Sequence, residues 1–162
     1  MTDTPDAVIT SRSEFHAALR EAFAEAASAG CRELFLCDSS FADWPLGERA
    51  VVESLAQWAQ SHRRLTLLAE DFAELSRRHP RWVEWRQTWA HVAHCRTNTE
   101  LEAGQMPTIL LAPGHFSVRL SDPVHYRGQR SHQAAEGLRC REMFDAVLQR
   151  SEEAFPASTT GL

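Results

Sequence analysis

Lysine is absent from this chain of 162 residues, and all 17 of its basic residues are arginine. Without a lysine amino group, the chain cannot form a Schiff base or hold a nucleotide phosphate with the lysine of a P-loop. The formal net charge is −5, so the overall positive charge of a nonspecific nucleic-acid-binding protein is also missing. These absences exclude lysine-dependent chemistry and make nucleic acid an unexpected partner, although they are compatible with a local basic patch.

Long apolar runs and secretory features are missing too. No stretch approaches the about 18 apolar residues that a transmembrane helix needs. Residues 1–6 are polar and acidic, whereas a secretory signal begins with a basic segment followed by an apolar one. No two cysteines form a C-x-x-C pair; they stand at Cys31, Cys37, Cys95 and Cys140. We therefore expect a cytoplasmic protein without membrane contact, whose thiols are reduced and mostly buried.

The length and the composition fit one globular domain. With 162 residues, of which 43% are hydrophobic and 24% charged, the chain can bury a core without disulfides or metal. We predict a disordered tail over residues 1–7, a single α/β domain over residues 8–155 and an irregular C-terminal tail over residues 156–162.

Helical and strand-like spacings of apolar residues alternate along this domain. Helices are predicted from the N-cap Ser13 to Gly30, from about Glu48 to Ser61, after Asp71, again after Pro80, and from about Gln133 to Glu153. Strands are predicted at residues 8–9, 33–38, 65–69, 91–95, 108–112 and 116–120, with polar loops over residues 97–107 and 121–132. The alternation predicts an α/β fold with a mixed, mostly parallel sheet and helices on both faces, in which the strands at 108–112 and 116–120 form a hairpin.

Three parts of the sequence together resemble a known superfamily. They are Leu34–Gly47, the segment Arg64–Ala69 with His79-Pro80-Arg81, and the hairpin followed by a helix with Met143-Phe144-Asp145, Ser151 and Gly161-Leu162. Over about residues 8–162 the chain resembles a family of small uncharacterised bacterial domains that is similar to one half of a phospholipase D-like fold. Phe144 fits the terminal helix of that superfamily, whereas Leu148 stands where tryptophan is common.

The resemblance implies that the catalytic motif is lost. Active members of the superfamily carry His-x-Lys-x4-Asp on the hairpin, where the histidine attacks phosphorus and the lysine holds the phosphate oxygens. Here His115 is followed by Phe116, Ser117 and Val118, and the chain has no lysine. An arginine would supply the charge without the compact geometry of an ammonium group. We therefore expect a degenerate, non-catalytic binding or interaction module that pairs as a homodimer, as such half-domains do, or docks onto another domain.

A polar segment after the strand at 33–38 supplies the candidate ligand-binding residues. Asp38, Ser39, Asp43 and Trp44 lie where ligands bind in open α/β sheets, and Arg81 would add a positive charge. The same residues also suit a purely local role, because Asp and Ser cap turns and a tryptophan covers a core.

Histidines at the hairpin are the best acid–base candidates by residue type. His115, His125 and His132, with Arg119, Arg127 and Arg130, are predicted to gather on the hairpin and the loop at 121–132. The alternative function is therefore a hydrolase or transferase for a phosphorylated or otherwise anionic small molecule. It requires the weak catalytic candidates His115, Asp38 and Asp43 to meet Arg81 in one pocket.

Two further patterns have ordinary structural explanations. His91 and His94 point to opposite faces of a strand and cannot share an ion, so we expect no metal and no cofactor. Trp82, Trp85 and Trp89 recur at helical spacing, which is typical of a helix packed on a sheet but also of a platform for bases. With the neighbouring Arg77, Arg78, Arg81 and Arg86, this helix is the basis of a weaker alternative, nucleic-acid binding.

Overall fold

The computed structural model describes residues 6–59, 62–102 and 104–156. The described helices are α1 (Arg12–Ala29), α2 (Arg49–Trp58), α3 (Ala73–Arg78), α4 (Pro80–Thr88) and α5 (Ala134–Leu148). The described strands are β1 (Ala7–Ile9), β2 (Glu33–Cys37), β3 (Arg64–Ala69), β4 (Ala93–Thr97), β5 (Thr108–Ala112), β6 (Phe116–Asp122), β7 (Arg127–Ser131) and β8 (Glu152–Glu153). Of the predicted tails, residues 1–5 and 157–162 lie outside the described residues, and Ala7 already belongs to β1.

All the described strands form one sheet in the order β1-β7-β6-β5-β2-β3-β4-β8. The pairs β2–β3 and β3–β4 are parallel, whereas β1–β7, β6–β7, β5–β6, β2–β5 and β4–β8 are antiparallel. The predicted hairpin of β5 and β6 is confirmed. The prediction of a mostly parallel sheet is wrong, because β5 enters beside β2 in the antiparallel direction and two further antiparallel strands extend the sheet beyond the hairpin.

One of those strands, β7, lies inside the predicted loop at residues 121–132. Its sequence, RGQRS, lacks the apolar alternation by which strands are recognised. Gly128 allows the close approach of β7 to β6: a Cβ atom at this position would lie 2.0 Å from the main-chain oxygen of Arg119. The pairing of β6 with β7 therefore requires glycine here.

Helices cover both faces of the sheet, as predicted. On one face α1, α2 and α4 enclose a core that includes Leu19, Phe23, Leu36, Leu55 and Trp82. On the other face α5 packs over a smaller core that includes Phe35, Cys37, Leu111, Cys140 and Phe144. The four cysteines are free and buried. Within the described residues, no helix has both the length and the apolar character that a bilayer crossing demands.

Several element boundaries differ from the prediction. Helix α1 is capped by Ser11, whose hydroxyl accepts from the Glu14 main-chain N–H, rather than by Ser13; it ends at Gly30 as predicted. Helix α5 ends at Leu148 instead of continuing to Glu153, because Glu152–Glu153 pairs with β4 as β8.

Trp82 and Trp85 are 0% and 6% exposed, so these rings are core residues and provide no platform for bases.

Candidate functional site

The parallel strands β2, β3 and β4 all begin at one side of the sheet and all end at the opposite side. We call the carboxyl edge the one at which the parallel strands β2, β3 and β4 end, and the amino edge the one at which they begin. In the β2–β5 pair, Cys37 faces Ile109 and Phe35 faces Leu111, so β5 runs from the carboxyl edge to the amino edge. With a rise of about 3.3 Å per residue, the edges are roughly 15 Å apart.

Asp38, at the carboxyl edge, is fully engaged in shaping the loop after β2. Its Oδ2 accepts from the main-chain N–H groups of Ser40 at 3.2 Å and Phe41 at 2.8 Å. Its Oδ1 accepts from the Thr108 hydroxyl at 2.8 Å. Phe41 has a left-handed φ of 59° and is fully buried. These contacts agree with the turn-capping role, and Ser39 contributes a main-chain oxygen that accepts from the Glu70 N–H at 3.0 Å.

Asp43 and Trp44 lie further along the same loop. The Asp43 carboxylate accepts from Arg12 Nε at 2.7 Å and from the Tyr126 hydroxyl. The hydrogen bond to Asp43 raises the pKa of Tyr126. Trp44 is 2% exposed and packs edge-on against Phe15, so it covers the core. Asp43 therefore joins the loop to α1 and to the β6–β7 turn.

Arg81 and His115, the other two candidates, lie apart from each other. Arg81 donates to the Gly47 main-chain oxygen at 3.0 Å and so contacts the end of the loop that begins at Asp38. His115 lies in the turn between β5 and β6, which is at the amino edge. The structure thus places Arg81 beside the loop that carries Asp38 and Asp43, and it places His115 at the opposite edge of the sheet.

Two of the three histidines of the hairpin region, His115 and His132, line one groove, whereas His125 lies apart from them, contrary to the prediction that all three gather. His125 lies in the β6–β7 turn at the carboxyl edge, where its Nδ1 is 2.9 Å from Asp122 Oδ2. His132 follows β7 at the amino edge and lies 2.9 Å from both Asp6 Oδ1 and Glu25 Oε2. Because β6 and β7 are antiparallel and Ser117 pairs with Ser131, the chain returns to the amino edge and brings His132 close to His115. Only His125 is left at the far turn.

A groove lies beside α5 at the amino edge. Its cavity volume is about 320 Å³, and its lining includes Leu111, Pro113, His115, Phe116, Leu138 and Arg141. We call it the α5 groove. Leu138 on α5 is 65% exposed and adds its side chain to this apolar lining. The groove therefore offers an apolar surface with imidazole and guanidinium groups among its lining residues.

Beneath α5, the sheet carries a buried polar cluster. Ser117 is 1% exposed and stands at the position of the lysine in the His-x-Lys-x4-Asp pattern. The neighbouring Arg119 donates from Nε to Glu136 Oε2 at 2.8 Å, and the two side chains are only 16% and 8% exposed. Burial alone would raise the pKa of Glu136, but the hydrogen bond and the charge of Arg119, together with Gln129 and Arg139, lower that pKa. The guanidinium of Arg119, two residues after Ser117 on β6, is thus already paired.

The arginines of α3 and α4 are only partly neutralised, and the exposed Arg81 has no carboxylate partner among the described residues. Arg77 and Arg78 both pair with Glu74, at 2.6 Å and 2.9 Å. Arg86 is 5% exposed and lies inside the protein. The described residues also contain no group of three His, Cys, Asp or Glu side chains that could hold a metal ion.

A second cavity, at β4 beside the short edge strand β8, has no counterpart among the predicted site residues. Its volume is about 390 Å³, and its polar lining residues are Arg64, Arg86, His94, Arg96 and Glu153. We call it the edge pocket, after the outermost strand β8 that borders it. Its residues come from four separate elements, β3, α4, β4 and β8, so no local motif in the sequence could have revealed it.

Comparisons with known proteins identify the fold but no family. No family model and no curated protein matches the chain. Among solved structures, it is similar to TrmBL2, described as an archaeal chromatin protein with a novel mode of DNA binding, with a TM-score of 0.63 and 14% identity over 94% of this chain. This chain spans only 56% of TrmBL2. It is also similar to NucT from Helicobacter pylori, with a TM-score of 0.60 and 8% identity over 93% of this chain and 99% of NucT. The protein therefore shares a mixed α/β fold with both.

Proposed function

We propose that this protein is a non-catalytic binding and interaction module built on a degenerate phospholipase D-like half-domain. The observation that carries the proposal is the cluster beneath α5. Ser117, at the lysine position, is buried, and the charge of the neighbouring Arg119 is held by Glu136 at 2.8 Å. Within the described residues, the charge of Arg119 is thus not available to a phosphate oxygen, and phosphoryl transfer depends on such charge stabilisation.

The remaining motif positions are also poorly arranged for catalysis. A nucleophilic histidine needs a partner that orients its ring. The side chain of His115 makes no hydrogen bond or ion pair within the described part of the chain. Asp122, which matches the last position of the motif, lies at the other edge of the sheet and contacts His125 at 2.9 Å. Among the described residues, His115 thus has no orienting partner, and Asp122 is engaged by His125, although the spacing of these two residues is that of the motif.

The α5 groove is the surface that we assign to binding. Leu111, Pro113, Phe116 and the exposed Leu138 give it an apolar wall that suits an apolar side chain of a partner protein. We propose that the partner is a second copy of this chain or a neighbouring domain. The resemblance to half-domains that pair about a two-fold axis supports this choice.

A hydrolysis assay tests the absence of catalysis. Purified protein is incubated with bis(p-nitrophenyl) phosphate, and the release of nitrophenolate is compared with that of the His115→Ala variant. We expect both to remain at the background rate. A rate above background in the unchanged protein that disappears in the variant would refute the proposal.

Sedimentation velocity tests the pairing. We expect a dimer at micromolar concentration and a monomer after Leu138→Glu, which places a charge in the α5 groove. Val124→Glu is the matched control, because Val124 is 80% exposed and lies at the carboxyl edge. If the unchanged protein sediments as a monomer at all concentrations, the homodimer is wrong and docking to another domain is left.

The two alternative functions receive less support. The hydrolase or transferase would need His115 to meet Asp38, Asp43 and Arg81, yet His115 lies at the opposite edge from Asp38. Nucleic-acid binding is favoured by the shared fold with TrmBL2 alone. Arg77 and Arg78 share Glu74 and Arg86 is buried, so among the described residues of α3 and α4 only Arg81 is an exposed arginine without a carboxylate partner. We therefore expect no shift of a DNA fragment in a gel at low ionic strength.

A further inference from the structure

The edge pocket exists because β8 is short. Strand β8 pairs only with Arg96 and Thr97, so the first half of β4 has no neighbouring strand on that side. The cavity of about 390 Å³ opens there, beside Ala93 and His94. Its volume lies within the range of about 300–1,000 Å³ that is typical of small-molecule sites.

Positive groups dominate this pocket. Three guanidinium groups, of Arg64, Arg86 and Arg96, line it together with a single carboxylate, that of Glu153. None of the three arginines forms an ion pair with a carboxylate of the described residues. Arg96 instead donates to the Ser151 hydroxyl at 2.7 Å and to the Ser151 main-chain oxygen at 2.9 Å. The pocket therefore carries positive charge without an internal counter-ion for each arginine.

Arg86 is the most unusual of these residues. It is 5% exposed, and its Nε is buried without a hydrogen-bond partner among the described residues. Its Nη1 donates to the Phe155 main-chain oxygen, and the guanidinium carbon lies 5.0 Å from the centre of the Phe155 ring. A buried charge without an ionic partner is unfavourable unless an opposite charge approaches it. An anion in the pocket would supply that charge.

The state of His94 agrees with this electrostatic picture. Burial lowers the pKa of His94, and the nearby charges of Arg64 and Arg86 lower it further. The ring is therefore neutral near pH 7 and offers one N–H donor and one acceptor.

We propose that the edge pocket binds the phosphate group of a small phosphorylated molecule that also carries hydroxyl groups. The planar guanidinium groups match the oxygens of a phosphate, which they can bind with two parallel hydrogen bonds. Glu153 then accepts a hydrogen bond from a hydroxyl of the same molecule. This site goes beyond the binding role of the α5 groove, because the two cavities share no residue and β5, β2 and β3 lie between β6 and β4.

Isothermal titration calorimetry at low ionic strength tests the proposal with three probes: inorganic phosphate, ribose 5-phosphate and ribose. We expect saturable binding of ribose 5-phosphate, weaker binding of phosphate and no binding of ribose. Loss of one charged hydrogen-bonding group weakens binding by about tenfold or more. We therefore expect a loss of that size for ribose 5-phosphate in both Arg64→Gln and Arg86→Gln.

The variants are chosen to separate binding from folding. Arg64 is exposed, so Arg64→Gln should fold even if Arg86→Gln does not. Arg49→Gln is the matched control, since Arg49 is also exposed and unpaired in the described structure but lies at the start of α2, outside the pocket. The Glu153→Gln variant should bind ribose 5-phosphate less tightly, so that its affinities for ribose 5-phosphate and for inorganic phosphate become more similar.

Two results would overturn this inference. One is the absence of saturable binding of either phosphate-bearing probe at concentrations up to about 10 mM, roughly ten times a Kd of 1 mM. The other is binding that Arg64→Gln leaves unchanged. Failure here leaves the proposed non-catalytic role untouched, because that role is tested by hydrolysis and sedimentation.

Discussion

Replacing Asp38 distinguishes a residue that shapes a loop from one that serves a ligand. In Asp38→Ala, two charged hydrogen bonds to main-chain N–H groups are lost, at about 1–1.5 kcal/mol each, since Asp38 is only half-buried. The buried Thr108 hydroxyl also loses its acceptor, which costs about 1 kcal/mol. We therefore expect a loss of about 3 kcal/mol in the free energy of unfolding.

The loss should be this large because Asp38 also fixes Phe41. Phe41 adopts a left-handed conformation and its ring packs 4.9 Å from that of Trp44, measured between ring centres. Without the carboxylate, the strained main chain is free to relax and the ring loses its place in the core. The melting temperature should fall by about 6–12 °C, from about 2–4 °C per kcal/mol for a domain of this size.

The assay is urea and thermal unfolding followed by circular dichroism. Asp71→Ala is the control, because Asp71 makes a single exposed hydrogen bond, to the Ala73 N–H at 3.1 Å, and should cost about 1 kcal/mol or less. Asp38→Asn keeps the shape without the charge and should lose about half as much as Asp38→Ala. If Asp38→Ala unfolds like the unchanged protein, the structural role of Asp38 is wrong.

Three further predictions follow from buried or closely packed groups. Burial alone would lower the pKa of His132, but its hydrogen bonds with Asp6 and Glu25 outweigh burial and raise that pKa. The stabilisation by His132 is therefore complete below about pH 6.5 and is lost as the pH rises through the raised pKa. Thermal unfolding from pH 6 to 9 should show this loss in the unchanged protein, and a smaller one in His132→Gln; equal slopes would contradict the assignment. Burial raises the pKa of Cys31 and Cys140 to about 11 and that of Cys95 to about 12. Ellman's reagent at pH 8 should consequently leave all four thiols unmodified until denaturant is added, and rapid reaction of the native protein would show that they are accessible. Gly128→Ala should lower the free energy of unfolding by about 3 kcal/mol or more, whereas Gly137→Ala, where a Cβ meets nothing within 4 Å, should be neutral or stabilising. Similar stabilities of these two variants would contradict the close approach of β6 and β7.

Local signals in the sequence account for much of the fold. The strand at 108–112 is found with the predicted bounds, Gly30 ends α1, and Pro80 begins α4. These predictions succeed because apolar runs, a left-handed glycine and a proline act through their own main chain. The helices on both faces follow from the same periodicity.

Strand β7 could not be predicted because its stability comes from distant partners. Arg130 is 1% exposed, and its guanidinium reaches Glu21 at 2.7 Å and Glu25 at 2.5 Å on α1. An arginine of this kind is indistinguishable in sequence from a solvated one. The direction of β5 could not be predicted either, because it depends on the pairing of β5 with the distant strand β2.

For the candidate sites too, local roles could be predicted from the sequence, whereas contacts between distant residues could not. The capping role of Asp38 was apparent from its residue type, but its bond with Thr108 joins positions that are 70 residues apart. The edge pocket draws Arg64, Arg86, Arg96 and Glu153 from separate elements. Only the tertiary structure brings such residues together, and no spacing in the sequence indicates it.

Phosphorus-31 NMR of the purified protein with a thymidine dinucleotide, a phosphodiester, tests the central claim of binding without catalysis most directly. We expect the diester resonance to remain unchanged over several days of incubation, with no monoester resonance. Growth of a monoester resonance at a rate proportional to protein concentration, and its loss in His115→Ala, would contradict that claim.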